Sequence, residues 1–184
     1  NVNFEHKKLF PGNIGPSTGE MGTVMFWSGP NRLFNQTLKK MEPKLAEEGY
    51  VGYIDLNCIV NGNGIYPLEF TSRFGYPTIS IQQEGMTTPI GEFFHDLAAG
   101  TAQKFKVKSG FQIGVRIVVS PFPFDDEATF RSVSHNAAIL FKKGIPEEVH
   151  IEDVKQVNGQ WYVAGTSGVV LIVCGLGPTM RQAQ

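Results

Sequence analysis

A group of polar side chains with the chemistry of a cation and phosphate site lies along one short stretch of the chain. Carboxylate and amide oxygens suit Mg²⁺, which takes one or two protein carboxylates and completes its shell with water and substrate phosphate. An arginine nearby can bind a phosphate oxygen. The alternative is an ordinary water-facing sheet surface, and the spacing alone does not decide between the two. The residues concerned are Asp55, Asn57, Glu69, Thr71 and Arg73.

A β-hairpin must position these side chains. Two runs rich in Ile, Val, Tyr and Phe flank an Asn-Gly-Asn-Gly cluster, which is typical of a hairpin. Alternate side chains of a strand share a face. We expect a three-residue loop at 62–64, which sets Asn57 opposite Glu69. The same register sets Asp55 opposite Thr71, so that both polar sets lie on one face.

Motifs in and around the hairpin resemble those of phosphoribosylamine–glycine ligase, an ATP-grasp family of purine biosynthesis. Residues 68–77, LEFTSRFGYP, are similar to its E-F-N-x-R-F-G-D-P-E signature. Residues 15–22, GPSTGEMG, resemble its G-P-N-T-G-G-M-G loop, and residues 5–8, EHKK, resemble its D-H-K-R. Residues 50–52, YVG, are like the Y-x-G that opens the family's hairpin. The resemblance covers nearly the whole chain and is strongest up to about Gly100.

The resemblance implies a ligase that forms glycinamide ribonucleotide. ATP would phosphorylate the carboxylate of glycine, and the amine of 5-phosphoribosylamine would attack the acyl phosphate, releasing phosphate. The implied cofactors are ATP and Mg²⁺ or Mn²⁺. The implied small-molecule partners are glycine, 5-phosphoribosylamine and ATP.

The same resemblance implies roles for individual residues. Glu69 would be the principal metal ligand, with Thr71 and Asn57 as further ligands. Arg73 would be catalytic, through contact with the phosphates of ATP or with the acyl phosphate. The implied nucleotide-binding residues are Lys7, Asn57 and Arg73, and the implied substrate-binding residues are Ser17, Thr18, Gly19, Met21 and Gly22.

Five residues depart from the family pattern. Thr71 has a neutral hydroxyl where the family has an asparagine, and Tyr76 and Thr78 replace the acidic pair of G-D-P-E. Ser17 and Glu20 replace asparagine and glycine in the substrate loop, where Glu20 adds bulk and charge. Two alternatives therefore stay open: a divergent ATP-grasp ligase with another amine or acid, and a non-catalytic binding module derived from the same fold.

Composition places the chain among ordinary globular proteins. It has 184 residues, of which 41% are hydrophobic and 18% charged, enough for one or two domains. A net charge of −1 offers no electrostatic argument for binding nucleic acid or an anionic membrane. Cys58 and Cys174 lie in apolar runs without a metal-binding spacing, so we expect free thiols in a reducing cytoplasm. The longest apolar run, 168–176, is too short to cross a bilayer.

The predicted fold class is α+β. We expect an ATP-grasp C-terminal lobe, an antiparallel sheet with packed helices, over 1–105, and a small mostly-β C-terminal domain over 106–184. The boundary is placed where the chain turns polar and lysine-rich. The chain begins with Asn1 rather than Met, and by the resemblance the N-terminal half of the same polypeptide would precede it. We therefore expect these 184 residues alone to have no ligase activity.

Sequence patterns predict the individual elements. Residues 11–22 are predicted as a glycine-rich loop before a short strand at 23–27. A helix is expected from Asn31, interrupted at Pro43, and another from Pro89 to Gly100. The apolar stripe of the first helix, assigned to the core, is Phe34, Leu38, Met41 and Leu45. Later strand candidates are 114–119, 138–141, 149–151, 160–164 and 169–173, followed by a helix that Thr179 caps.

Overall fold

The computed structural model describes residues 1–101 and 106–184, and the strands within these ranges pair antiparallel. The strands are β1 Val2–Phe10, β2 Ile14–Phe26, β3 Asp55–Asn61, β4 Gly64–Thr71, β5 Phe111–Val118, β6 Ala138–Ile139, β7 Val149–Ile151, β8 Val154–Val157, β9 Gln160–Val163 and β10 Val169–Gly177. The helices are α1 Arg32–Gln36, α2 Glu42–Glu47, α3 Thr78–Gly85, α4 Ile90–Ala98, α5 Glu127–Thr129 and α6 Met180–Ala183. A 3-10 turn (Leu38–Met41) and a π turn (Phe130–Ser134) complete the helical segments of these ranges.

The largest sheet has five strands in the order β1-β2-β5-β10-β7, all antiparallel. In it β2 pairs with β5 from Gly22 opposite Val115 to Phe26 opposite Phe111. Strands from both sides of residue 105 thus share one hydrogen-bonded ladder. The division into 1–105 and 106–184 stays a prediction, and its boundary would cut between two strands of this sheet.

Helix α3 packs on one face of this sheet and closes the central core. The buried side chains there are Met25, Ile81, Ile172 and Cys174. Burying a side chain of this size stabilises the fold by roughly 1.5–3 kcal/mol. Ile81 packs closely against the sheet at Gly114. A Cβ added to Gly114 would lie only 2.3 Å from Cγ1 of Ile81. A second core forms around Phe130, with Val163, Val170 and Leu171.

The prediction of a loop over 11–22 is wrong for most of its length. A turn at 11–13 leads directly into β2, which extends from Ile14 to Phe26 and contains a bulge. Pairing with β1 begins at once, with Phe10 opposite Ile14. The physical reason is that cross-strand hydrogen bonds hold glycine-rich backbone in a strand, and composition does not reveal such a partner.

The first helical region follows the predicted start and interruption. The Asn31 side chain caps α1 by accepting a hydrogen bond from the Phe34 amide at 3.0 Å. Pro43 lies at the start of a separate helix, α2, where its missing N–H costs nothing. The assignment of the apolar stripe to the core is wrong, since these four side chains are only half-buried. A short helix broken after each turn cannot present a continuous face to the sheet.

The remaining predicted elements are present, whereas α3, α5, β8 and the π turn were not predicted. Helix α4 ends at Ala98, and Gly100 follows in the left-handed region at φ +68°. The later strand candidates are all present as β5, β6, β7, β9 and β10. Thr179 caps α6, accepting from the Gln182 amide at 3.3 Å. Helix α3 was not predicted, because its sequence TISIQQEG has too few apolar residues for a helical stripe.

The predicted α+β class is therefore confirmed. Both cysteines, Cys58 and Cys174, are free thiols. In the part of the chain that the structure describes, no helix is long and apolar enough to cross a membrane.

The close approach of α3 to the sheet generates a stability prediction. Gly114→Ala should lower the free energy of unfolding by about 1–3 kcal/mol, because the new methyl group displaces Ile81 from a packed core. Gly91→Ala is the matched control, because a Cβ there meets nothing within 4 Å; with its helical position it should stabilise by up to about 1 kcal/mol. Urea unfolding measures both. Equal effects of the two substitutions would contradict this account of the core.

Candidate metal and substrate site

The hairpin of β3 and β4 carries the predicted polar face. Asn57 lies opposite Glu69, and Asp55 lies opposite Thr71, as expected. Opposed residues of an antiparallel pair point to the same side of the sheet. The four side chains therefore share one face, with Glu69 exposed and the other three half-buried.

The turn that produces this register differs from the prediction. Its loop has two residues, at 62–63, and Asn61 pairs directly with Gly64. The Asn61 side chain closes the turn by accepting hydrogen bonds from the amides of Asn63 at 2.9 Å and Gly64 at 3.2 Å. The prediction of a three-residue loop is wrong because this side chain stabilises the tighter turn.

A β-bulge at Leu68 compensates for the shorter loop. Cys58 pairs with Pro67 while Asn57 pairs with Glu69, so that Leu68 is the extra residue on β4. A slip of one residue would otherwise turn the second polar set to the opposite face. The bulge thus restores the predicted partners near the base of the hairpin.

The donor set on this face fits a hard cation. It offers one exposed carboxylate from Glu69, the amide of Asn57 and the hydroxyl of Thr71, with Asp55 as a second carboxylate beside them. Mg²⁺ takes one or two protein carboxylates together with water and phosphate, so this set meets its needs. Within residues 1–101 and 106–184, no three His, Cys, Asp or Glu side chains form a metal cluster. A cation here would therefore depend on neutral oxygens and a ligand phosphate.

Arg73 lies just beyond the end of β4, at the edge of this face. Its side chain is exposed, and Nη1 donates a hydrogen bond to the Phe74 carbonyl at 3.3 Å. A cavity of about 480 Å³ opens beside it, with Tyr53, Phe94 and Leu97 among its lining residues. The guanidinium is thus held loosely and remains available to an anion.

Glu5 is a residue near the polar face to which the sequence analysis gave no role, and Asp55 was placed on that face without a ligand role. Burial raises the pKa of Asp55, the Glu5 carboxylate raises it further, and the Leu56 amide and Arg73 oppose the rise. Both carboxylates thus belong to the electrostatic surroundings of the polar face. Asp55 was recognisable from its place on that face, and Glu5 from the acidic first position of the D-H-K-R-like motif.

The predicted substrate residues lie at a large bulge in β2. His6 pairs with Gly22 and Lys8 pairs with Ser17, so residues 18–21 leave the ladder opposite Lys7 alone. We call residues 18–21 the β2 bulge. The structure thereby places the predicted substrate-binding residues close together, in an irregular part of a strand rather than in the predicted loop.

Lys7 fastens the β2 bulge from its exposed side. Its Nζ donates a hydrogen bond to the Gly19 carbonyl at 2.9 Å and forms an ion pair with Glu5. The Thr18 hydroxyl in turn donates to the Lys7 carbonyl at 2.9 Å. Three residues assigned separately to nucleotide and substrate are therefore in direct contact, and the nucleotide role of Lys7 stays a prediction.

Glu5 connects the bulge to the hairpin. It lies on β1 opposite Thr23, and its carboxylate raises the pKa of Glu20 in the bulge as well as that of Asp55 on the hairpin. In each case burial is the larger cause of the rise. The Glu5 carboxylate thus acts on one carboxylate of the β2 bulge and on one of the polar hairpin face.

The fold and this site together define the architecture of the protein. It is an α+β protein of antiparallel sheets with packed helices, with one hairpin that carries a polar face. The crystal structure of phosphoribosylamine–glycine ligase from Thermotoga maritima has the same fold, with a TM-score of 0.66 and 24% identity. The match covers 98% of this chain and 45% of that one.

Curated relatives carry the same name. The phosphoribosylamine–glycine ligase of Lactococcus lactis is 29% identical over 129 residues, which is 65% of this chain and 31% of the relative. That of Thermotoga maritima is 25% identical over 193 aligned residues, 98% of this chain and 44% of the relative. No protein-family model matches the chain. The resemblance predicted from the motifs is confirmed, and the chain spans less than half the length of these relatives.

Asp55 generates a prediction for the pH dependence of stability. Its folded-state pKa is raised, so its contribution is full below the unfolded pKa of about 3.9 and is lost as pH rises through the folded value. Asp55→Asn cannot ionise, so it should gain stability relative to the parent chain as pH rises from 3 towards neutrality. We expect a gain below about 1 kcal/mol, because solvent screens a half-buried charge.

Urea unfolding at a series of pH values measures this difference. Asp126→Asn is the matched control of opposite sign, because hydrogen bonds from the Thr129 side chain and amide lower the pKa of Asp126. Its contribution is present above the unfolded pKa and lost as pH falls. The same slope in both variants would refute the assigned burial of Asp55.

Proposed function

We propose that this chain forms the metal- and phosphate-binding part of a phosphoribosylamine–glycine ligase-like ATP-grasp enzyme. The observation that carries the proposal is the pairing of Asn57 with Glu69 on the polar hairpin face. Glu69 of this pair lies within the motif that resembles the family signature, in a fold matched over 98% of the chain. The proposed product is glycinamide ribonucleotide, formed from glycine, 5-phosphoribosylamine and ATP through an acyl phosphate.

The hairpin residues hold the charged part of the reaction in this proposal. Glu69, Asn57 and Thr71 bind the cation, which when present neutralises phosphate charge during transfer. Arg73 binds phosphate oxygens from the end of β4, and its weak bond to Phe74 is easily given up. Fixed positive charge aimed at a transferring phosphoryl group stabilises the transition state without reorganisation.

The β2 bulge forms the border of the substrate pocket in this proposal. Backbone that leaves a strand ladder exposes amides and carbonyls to a ligand, and Gly19 has open space around its Cα. The substrate-facing set remains Ser17, Thr18, Gly19, Met21 and Gly22. In this proposal Glu20 does not crowd the pocket, because its side chain is buried inside the protein and only 6% exposed.

Thr71 favours a second candidate, an ATP-grasp ligase with another amine or acid. Its hydroxyl stands where the family has an amide, and it lies on the polar face opposite Asp55. A neutral hydroxyl is a weaker ligand than an amide oxygen, so Asp55 would take a larger share of the cation. Testing amines and carboxylates other than glycine and 5-phosphoribosylamine for stimulation of ATP hydrolysis separates the two candidates.

The metal assignment predicts the effect of Glu69→Gln in the gene product that contains this chain. Mg²⁺-dependent ligase turnover should fall at least about 100-fold, since a ligand carboxylate contributes several kcal/mol of charge stabilisation. The free energy of unfolding should change by less than about 0.5 kcal/mol, because Glu69 is exposed. Glu147→Gln, at another exposed carboxylate, is the control and should leave turnover unchanged. Equal turnover in both variants would refute the metal role.

The span of the chain predicts the behaviour of the 184 residues alone. We expect no release of ADP with glycine, 5-phosphoribosylamine, ATP and Mg²⁺, because the chain covers only 31–44% of the relatives' length. A coupled ADP assay, run beside the full gene product as the positive control, measures this. Turnover by the 184 residues would show that they hold every group the reaction needs.

A further inference from the structure

Glu20 is a carboxylate buried at the inner side of the β2 bulge. It is 6% exposed, and the Thr78 hydroxyl at the start of α3 lies 3.2 Å from one carboxylate oxygen and 3.3 Å from the other. The Thr23 hydroxyl donates a second hydrogen bond to the same group. A buried carboxylate is costly unless it accepts such bonds, so these two threonines make its position possible.

Two consecutive residues of the bulge are thus held from opposite sides. Lys7 binds the Gly19 carbonyl on the exposed side, and Thr78 binds the Glu20 side chain inside. The bulge is therefore tied to β1 and to α3 at once. Residues outside a strand ladder lack the bonds that order a strand, and these ties replace them.

The contact joins two of the departures from the family pattern. The motifs quoted above have glycine at the position of Glu20 and glutamate at the position of Thr78. This chain has the reverse arrangement, with the carboxylate on β2 and a short hydroxyl side chain on α3. Since the two side chains touch in this chain, one carboxylate lies between β2 and α3.

A third strand contributes the surrounding charge. Arg116 of β5 is 8% exposed, donates a hydrogen bond to the Tyr76 carbonyl at 2.8 Å and lies over the Tyr76 ring at 4.8 Å. Burial raises the pKa of Glu20, Glu5 adds to the rise, and the two hydroxyls and Arg116 oppose it. Tyr76 is the remaining departure in the G-D-P-E position; its side chain is 45% exposed, and Arg116 contacts both its ring and its carbonyl.

We infer that Glu20 is a positioning residue that fixes the conformation of the β2 bulge. Its carboxylate, supplied by β2, replaces the carboxylate that the family pattern has at residue 78 on α3. The tie to Thr78 stands on its own contacts. Its consequence for substrate binding rests on the proposed function.

A reciprocal exchange tests the inference in the 184-residue chain. The variants are Glu20→Gly, Thr78→Glu and the double variant, and the readout is amide hydrogen exchange at residues 17–22 relative to β10. Each single variant should raise the relative exchange rate at least 10-fold. Glu20→Gly removes the carboxylate, and Thr78→Glu places a second carboxylate against the first. The double variant should return to within about 3-fold of the parent. A residue that serves only general stability would change both segments equally, and that result would overturn the inference.

Milder substitutions keep the test decisive if a single variant fails to fold. Thr78→Ser keeps the hydroxyl donor and should leave bulge exchange within about 3-fold, whereas Thr78→Val removes it and should raise exchange. Asp126→Gly breaks another carboxylate–threonine pair, with Thr129, and should leave residues 17–22 unchanged. Equal exchange in the serine and valine variants would overturn the inference.

Kinetics of the full gene product separate this inference from the proposed function. If the parent turns over, Glu20→Gly should raise KM for the amine or acid at least 5-fold, and the double variant should restore it; an unchanged KM would overturn the positioning role. If the parent shows no ligase turnover, the proposed function fails, and the exchange cycle alone decides whether Glu20 sets the bulge.

Discussion

The pairing of β2 with β5 is the interaction on which the rest of the structure depends. It joins the strand that carries the bulge to the central strands that support α3. The approach is close, since a Cβ on Gly22 would lie 3.1 Å from the Gly114 carbonyl. Because β2 also pairs with β1, the three strands together hold Lys7, the bulge and the buried Glu20 in fixed relative positions.

The polar hairpin depends on a smaller constraint of the same kind. A two-residue turn and a one-residue bulge at Leu68 act together, and neither alone would set Asn57 opposite Glu69. The hairpin forms a sheet of only two strands, which is marginal by itself in water. Its electrostatic link to the large sheet runs through Asp55 and Glu5, the same carboxylate that pairs with Lys7.

Departures from a family motif take their meaning from their surroundings. Considered singly, Glu20, Tyr76 and Thr78 all suggest a lost substrate site. In the folded chain Glu20 and Thr78 are buried and in contact with each other, and Arg116 contacts the exposed Tyr76. The exposed surface that faces the proposed ligands keeps its glycine and its hydroxyls. Thr71 remains the departure that bears directly on ligand chemistry.

The sequence by itself determined the local features. Alternation set the polar face of the hairpin, Asn31 and Thr179 set helix starts, and apolar runs set the later strands. Each depends on residues close together in the chain. Only the tertiary structure decided that residues 14–26 form a strand, that α3 exists and that Glu20 points inward. The inward position of Glu20 depends on a partner 58 residues away, Thr78, and burial against a distant element leaves no periodic pattern in the sequence.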